Sequence, residues 1–236
     1  MTTLSVREWR DRRDAHRTRV REFTAPTRKR LGRGEPHPVD DFLIRYYRFS
    51  LGHLEDWHPG LGVKLERSED DRELPQGKYY RRQGNTVALD PATLIEKERT
   101  RLRWTADLLR AIAQRPGTFH CHGLHEWAMV YRGGDIRHRE SVPLRLPQEE
   151  IDTLVESRPI CCTHFDAFRF FAPAAQPLNR HRPTLWTREE NEQPGCIHTN
   201  MDLYKWAYKS MPWIGSDLLW DCFRFALRAR EVDMRA

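Results

Sequence analysis

Cys161-Cys-Thr-His-Phe-Asp-Ala-Phe-Arg-Phe-Phe171 sets two thiols, an imidazole and a carboxylate among four phenylalanines. A buried polar group without a partner costs about 1–3 kcal/mol, and a charge costs more, so this mixture demands partners or a ligand. Cys196-Ile-His198 repeats the Cys-x-His spacing of Cys162-Thr-His164. On extended chain, residues i and i+2 share a face, so Cys162, His164, Cys196 and His198 form one candidate set for tetrahedral zinc or another transition ion. The competing account is packed cysteines with hydrogen-bonded histidines. His120-Cys-His122 offers the same spacing, whereas His125-Glu126 opens like a zinc-protease helix but has Met129 where that motif needs histidine.

General acid–base chemistry is the second reading of the same residues. His125 beside Glu126, and His164 two residues from Asp166, are imidazole–carboxylate pairs in apolar surroundings. Burial raises a carboxylate pKa and a neighbouring cation lowers it, which is how groups are tuned for catalysis at neutral pH. His125, Glu126, His164 and Asp166 are therefore the candidate catalytic residues, the alternative being buried pairs that hold segments together. Asp202 and Lys205, one helical turn apart, read as a surface ion pair. No G-x-S-x-G elbow, Walker loop or G-x-G-x-x-G is present, so nucleoside triphosphates and dinucleotides are not expected.

Charge supplies a third theme. Of a net +6 over 236 residues, residues 1–34 carry eleven Arg or Lys against four acids, leaving the remainder near neutral. Such an arm could follow nucleic-acid phosphates, with an aromatic pocket taking an extruded base, or could be a solvated helix face. No apolar run reaches the roughly 18–20 residues of a membrane span, and the N-terminus lacks a secretory core. Five cysteines, two of them adjacent, fit a reducing compartment, so a cytoplasmic protein is expected.

The elements that must position these groups are mostly helices. Ser5-Val-Arg-Glu8 is a capping box, opening a helix with Trp9, His16, Val20 and Phe23 on one stripe and an end at Pro26 and the basic loop 28–34. Asp40 or Asp41 caps a second, aromatic helix. Val63–Glu66 reads as a strand, and Lys78–Arg82, a Gln83-Gly-Asn85 turn and Thr86–Leu89 as a hairpin. A helix is predicted from Pro91 to Gln114, burying Leu94, Ile95, Leu102, Leu108, Leu109 and Ile112. Val142–Leu146 is a possible strand, Pro147–Ser157 a helix, Pro173–Pro194 a long connection, and Met201–Lys209 and Ser216 to about Arg235 the last helices, the final one burying Leu218, Leu219, Cys222, Phe223 and Ala226. The expected fold is mainly α with a small β component (α+β): an N-terminal basic helix over 1–34 and a single compact domain over 35–236.

Gly123–Tyr131, Cys162–Phe171, Pro177-Leu-Asn179 and Gln193–Trp206 together resemble a bacterial family commonly labelled 3-methyladenine DNA glycosylase, along the whole chain. The resemblance implies hydrolysis of the N-glycosidic bond of an alkylated base in DNA, with Asp166 or Glu126 as the carboxylate and His164 or His125 orienting it. Neither a helix-hairpin-helix hairpin nor an alkyladenine-glycosylase motif is present. Relatives are expected to continue past Ala236, making this chain a shortened form. A metal-dependent enzyme built on the Cys-x-His pairs and a non-catalytic binder of nucleic acid or a small molecule are the alternatives.

Overall fold

A computed structural model describes residues 1–121, 123–133 and 144–235. His122 and the first two residues of the segment expected as a strand over Val142–Leu146 lie outside the described residues, and its remaining residues, 144–146, are not strand. In chain order the elements are β1 (Thr2–Leu4), α1 (Val6–Gly32), α2 (Phe42–Tyr47), α3 (Leu51–Glu55), β2 (Val63–Glu66), β3 (Tyr80–Gln83), β4 (Thr86–Leu89), α4 (Glu96–Gln114), α5 (Leu124–Met129), α6 (Gln148–Ser157), α7 (Phe165–Phe168), α8 (Arg188–Asn191), α9 (Ile197–Lys209) and α10 (Ser216–Asp233). The protein is mainly α with one small sheet, as its periodicities predict. Two compact units form, Met1–Trp104 with Met201–Arg230, and Thr105–Asn200 with Glu231–Ala236. Their boundaries fall inside α4 and α9 and near the end of α10, so no Pro- or Gly-rich linker marks them in the sequence.

In the first unit the sheet order is β1-β2-β4-β3, with β1 parallel to β2 and the other pairs antiparallel. Register sets Leu4 opposite Leu65 and Leu65 opposite Val87, so their side chains build a core with Trp9, Trp57 and Leu74. A second core joins Val20, Leu43 and Leu54 to Met201, Tyr204, Leu219 and Phe223.

The Ser5–Glu8 capping box is present, and Trp9, His16 and Val20 are buried along α1. The helix nevertheless runs through Pro26 to Gly32. An interior proline costs a helix about 3 kcal/mol, and the turns beyond it are held by tertiary contacts that outweigh this. Thr24 Oγ1 donates to Glu55 (2.6 Å), Arg28 pairs with the same carboxylate, and Arg30 reaches Asp41 at 2.5 Å. Arg10 and Arg13 similarly meet Glu73, and Arg19 meets Asp217. The basic helix is thus docked and largely countered by carboxylates.

Three further expectations change. Asp41 stands at the start of α2 but gives it no side-chain cap, because its carboxylate is taken by Arg30 and the His37 amide. Asp90 caps only a 3-10 turn, Pro91–Thr93; Leu94 is extended, leaving Ile95 60% exposed before α4 begins. Leu218 is likewise exposed, the buried stripe of α10 being Leu219, Phe223 and Ala226.

In the second unit, Leu124, Ala128, Ile151, Val155, Ile160 and Phe171 form the core. Asn179 serves as its clasp. Its Oδ1 accepts from the Cys162 amide (2.8 Å), and its Nδ2 donates to the carbonyls of Cys162 (2.9 Å) and His181 (2.8 Å). Among the described residues, no helix is long and apolar enough to cross a membrane.

Candidate functional site

The histidines and carboxylates converge in the second unit, on three short stretches of chain. Gly123, with φ of 74°, makes the left-handed turn that starts α5 and sends His125 inward at 3% exposure, followed by Glu126. Ahead of α9, Gln193 Oε1 accepts from the amides of Thr118 (2.8 Å) and Gly195 (2.7 Å), and its Nε2 donates to the Thr118 carbonyl (3.0 Å). Gly195 lies so close to Thr118 that a Cβ on it would sit 2.4 Å from the Thr118 oxygen. This clasp fixes the first turn of α9, which carries His198. The third stretch is the end of α10, where Asp233 is 4% exposed.

His125 Nε2 lies 3.1 Å from Glu126 Oε1 and 3.5 Å from Asp233 Oδ1. The His198 Nε2 is 3.8 Å from the same Glu126 oxygen. The two imidazoles meet edge to face, centroids 4.5 Å apart. One ligand atom from each of His125, Glu126, His198 and Asp233 falls within 4.8 Å of the other three, so the cluster could hold a metal ion. On the far side of the ring, Cys121 Sγ is 2.8 Å from His125 Nδ1. Burial opposes charge on His125, but Asp233, Cys121 and Glu126 outweigh it and hold its pKa well above the usual range. His198 moves the other way, down to about 4, because burial and then the neighbouring His125 disfavour its cation. Cys121 is lowered by hydrogen bonding with Cys162 and His125 despite its burial.

His164 and Asp166 belong to a different arrangement. His164 caps α7, its Nδ1 accepting from the Ala167 amide at 3.3 Å. That bond places the ring proton on Nε2, which faces Glu192 Oε1 at 3.8 Å. Arg188, 3% exposed, donates to Glu192 Oε1 (2.7 Å) and Asp166 Oδ2 (2.5 Å), while Arg169 lies 3.3 Å from Asp166 Oδ1. Asp166 is thus an arginine-paired carboxylate, and His164 turns its Nε2 to Glu192. The ring of His164 stacks on His198, centroids 5.6 Å apart, which is its link to the cluster.

Comparison with protein-family models, curated proteins and solved structures returns no match.

Of the Cys-x-His set, only His198 joins His125, Glu126 and Asp233, while His164 falls in a separate metal-competent group that includes Glu192. Cys196 and His198 straddle the start of a helix, where i and i+2 lie about 200° apart, not on one face. Cys162 directs its sulfur to the His164 carbonyl at 3.6 Å, and burial keeps the Cys196 thiol protonated. Sequence spacing missed Asp233, Glu192, Arg188 and Cys121. Asp233 had a signal: Leu219, Cys222, Ala226 and Asp233 continue one face of α10, and a carboxylate on a core-facing stripe needs a partner.

Proposed function

We propose that this protein is a hydrolase that directs water onto the N-glycosidic bond of an alkylated base in DNA, with Glu126 as the working carboxylate. One observation carries the assignment of Glu126. Its side chain is 32% exposed yet its carboxylate is 3.1 Å from the buried His125 Nε2, so solvent and substrate reach it while a fixed imidazole orients it. Asp166, held by two arginines, is better suited to structure than to proton transfer.

The substrate class comes from the family resemblance. An alkylated purine is cationic and departs without first taking a proton, so the main demands are water activation and stabilisation of a positive, oxocarbenium-like sugar. Glu126 accepts the proton of the attacking water; Asp233 and Glu126 supply the negative field, and His198, neutral at pH 7, completes the wall. This reading takes no nucleotide cofactor. Zinc or another transition ion is its cofactor candidate.

Incubation with methylated duplex DNA and chromatography of the released bases tests the reading. Release of methylated adenine by the native protein, falling about 10²–10⁴-fold in Glu126→Gln, is expected for loss of a general base. Release no greater than that of Glu126→Gln sinks it.

A further inference from the structure

We infer that His125, Glu126, His198 and Asp233 are the ligands of a single divalent transition-metal ion. Ligand atoms about 2.1 Å from a tetrahedral ion stand about 3.4 Å from one another. Three of the six separations are 3.1, 3.5 and 3.8 Å, bracketing that value, and all six lie within 4.8 Å. They are set by three separate elements, α5, α9 and α10, so the convergence is built by the fold and not by neighbouring positions on one helix.

A second observation concerns His125 alone. Its Nε2 is fully buried and, although two carboxylate oxygens lie within 3.5 Å, neither contact has the alignment of a hydrogen bond. A buried imidazole nitrogen within 3.1–3.5 Å of two carboxylates yet without an aligned hydrogen bond is placed as a ligand is placed. The Cys121 sulfur at 2.8 Å occupies Nδ1, leaving Nε2 as the coordinating nitrogen, the outer-sphere support that metal-bound histidines use. Two carboxylates balance a dication, and the nitrogen share of the set favours zinc, iron or nickel over magnesium or calcium. Glu126 and His198 are the ligands that solvent reaches, at 32% and 14% side-chain exposure, so a water ligand would enter on their side.

The inference deepens the hydrolase reading and rests on it only for the use of the ion, which would generate the attacking hydroxide in place of Glu126 acting alone. Occupancy is tested separately. The full-length protein, stripped with a chelator and dialysed, is titrated with Zn²⁺ by calorimetry and with Co²⁺ by visible spectroscopy. One equivalent is expected, with a Co²⁺ spectrum of low coordination number and no strong thiolate charge-transfer band. Since loss of an outer partner already costs about 10–100-fold in affinity, Asp233→Asn and His198→Ala should each cost at least ~100-fold. Glu126→Gln, near-isosteric and partly exposed, gives the same reading should either of those fail to fold. Cys196→Ser should leave affinity unchanged. Absence of stoichiometric uptake, uptake that survives Glu126→Gln and Asp233→Asn, or loss on replacing Cys196 overturns the assignment. Stoichiometric uptake without base release keeps the ion and discards the glycosidase, whereas release unaffected by chelation with no uptake does the reverse.

Discussion

At the level of single residues, the least exposed charges carry the clearest consequences. Arg188 joins two carboxylates, Glu192 at 2.7 Å and Asp166 at 2.5 Å, with hardly any solvent to replace it. Removing one member of a buried charge network costs about 3–5 kcal/mol, because the remaining charges stay desolvated, so Arg188→Leu should lose about that much in urea unfolding. Arg188→Lys should not restore it, since a single ammonium cannot reproduce a fork that spans two acceptors. In the same experiment Asp166→Asn should lower stability while leaving base release near that of the native protein; a collapse of release with unchanged stability would return Asp166 to catalysis. The sequence marks His164 and Asp166 as residues in need of partners but cannot say which. Their partners, Glu192 and Arg188, are 28 and 22 residues away in a stretch whose prolines and polarity read as loop.

Among the elements, the legible ones announce themselves locally. The capping box of α1, the turn between β3 and β4, and the apolar period of α6 depend on neighbours within a few residues, and all three stand where the pattern puts them. Elements set by distant contacts are different. The run of α1 past Pro26 depends on Glu55 and Asp41, and the restart of α4 at Glu96 depends on Leu94 turning to pack against the sheet core. The start of α9 is the case that matters for the site. Its position depends on Gln193 and on a backbone approach at Gly195 that no side chain fits. Gly195→Ala forces Thr118 or the helix start to move, at the roughly 1–3 kcal/mol typical of overpacking. Because His198 sits one turn on, the same change should weaken Zn²⁺ binding as well as lower the midpoint of unfolding. A full loss of stability with unaltered ion affinity would show that His198 is positioned by something else.

Over the whole molecule, the arithmetic of charge is legible in the sequence and its meaning is not. Eleven cations in residues 1–34 suggest a rail for phosphates. Six of them, Arg10, Arg13, Arg19, Arg21, Arg28 and Arg30, face Glu73, Asp217, Glu55, Asp40 and Asp41 from beyond the arm. A cation already paired releases few counterions on meeting DNA, so the segment should behave as five charges at most. The logarithm of affinity for random duplex DNA should then fall with the logarithm of salt at a slope of about −4.5 or shallower, not the roughly −10 of eleven engaged cations. Deleting residues 1–34 is the wrong control, because it also removes β1 and the buried Trp9, and loss of a buried Trp side chain alone costs about 3–5 kcal/mol. Charge reversal separates the roles. Arg12→Glu with Arg17→Glu should weaken DNA binding and leave the melting temperature nearly unchanged. Arg21→Glu with Arg28→Glu sets three carboxylates around Thr24, through Glu55, and should lower the melting temperature first. A slope near −10, or equal loss of DNA affinity from both pairs at constant stability, would mean that the arm exchanges its protein carboxylates for phosphates on binding.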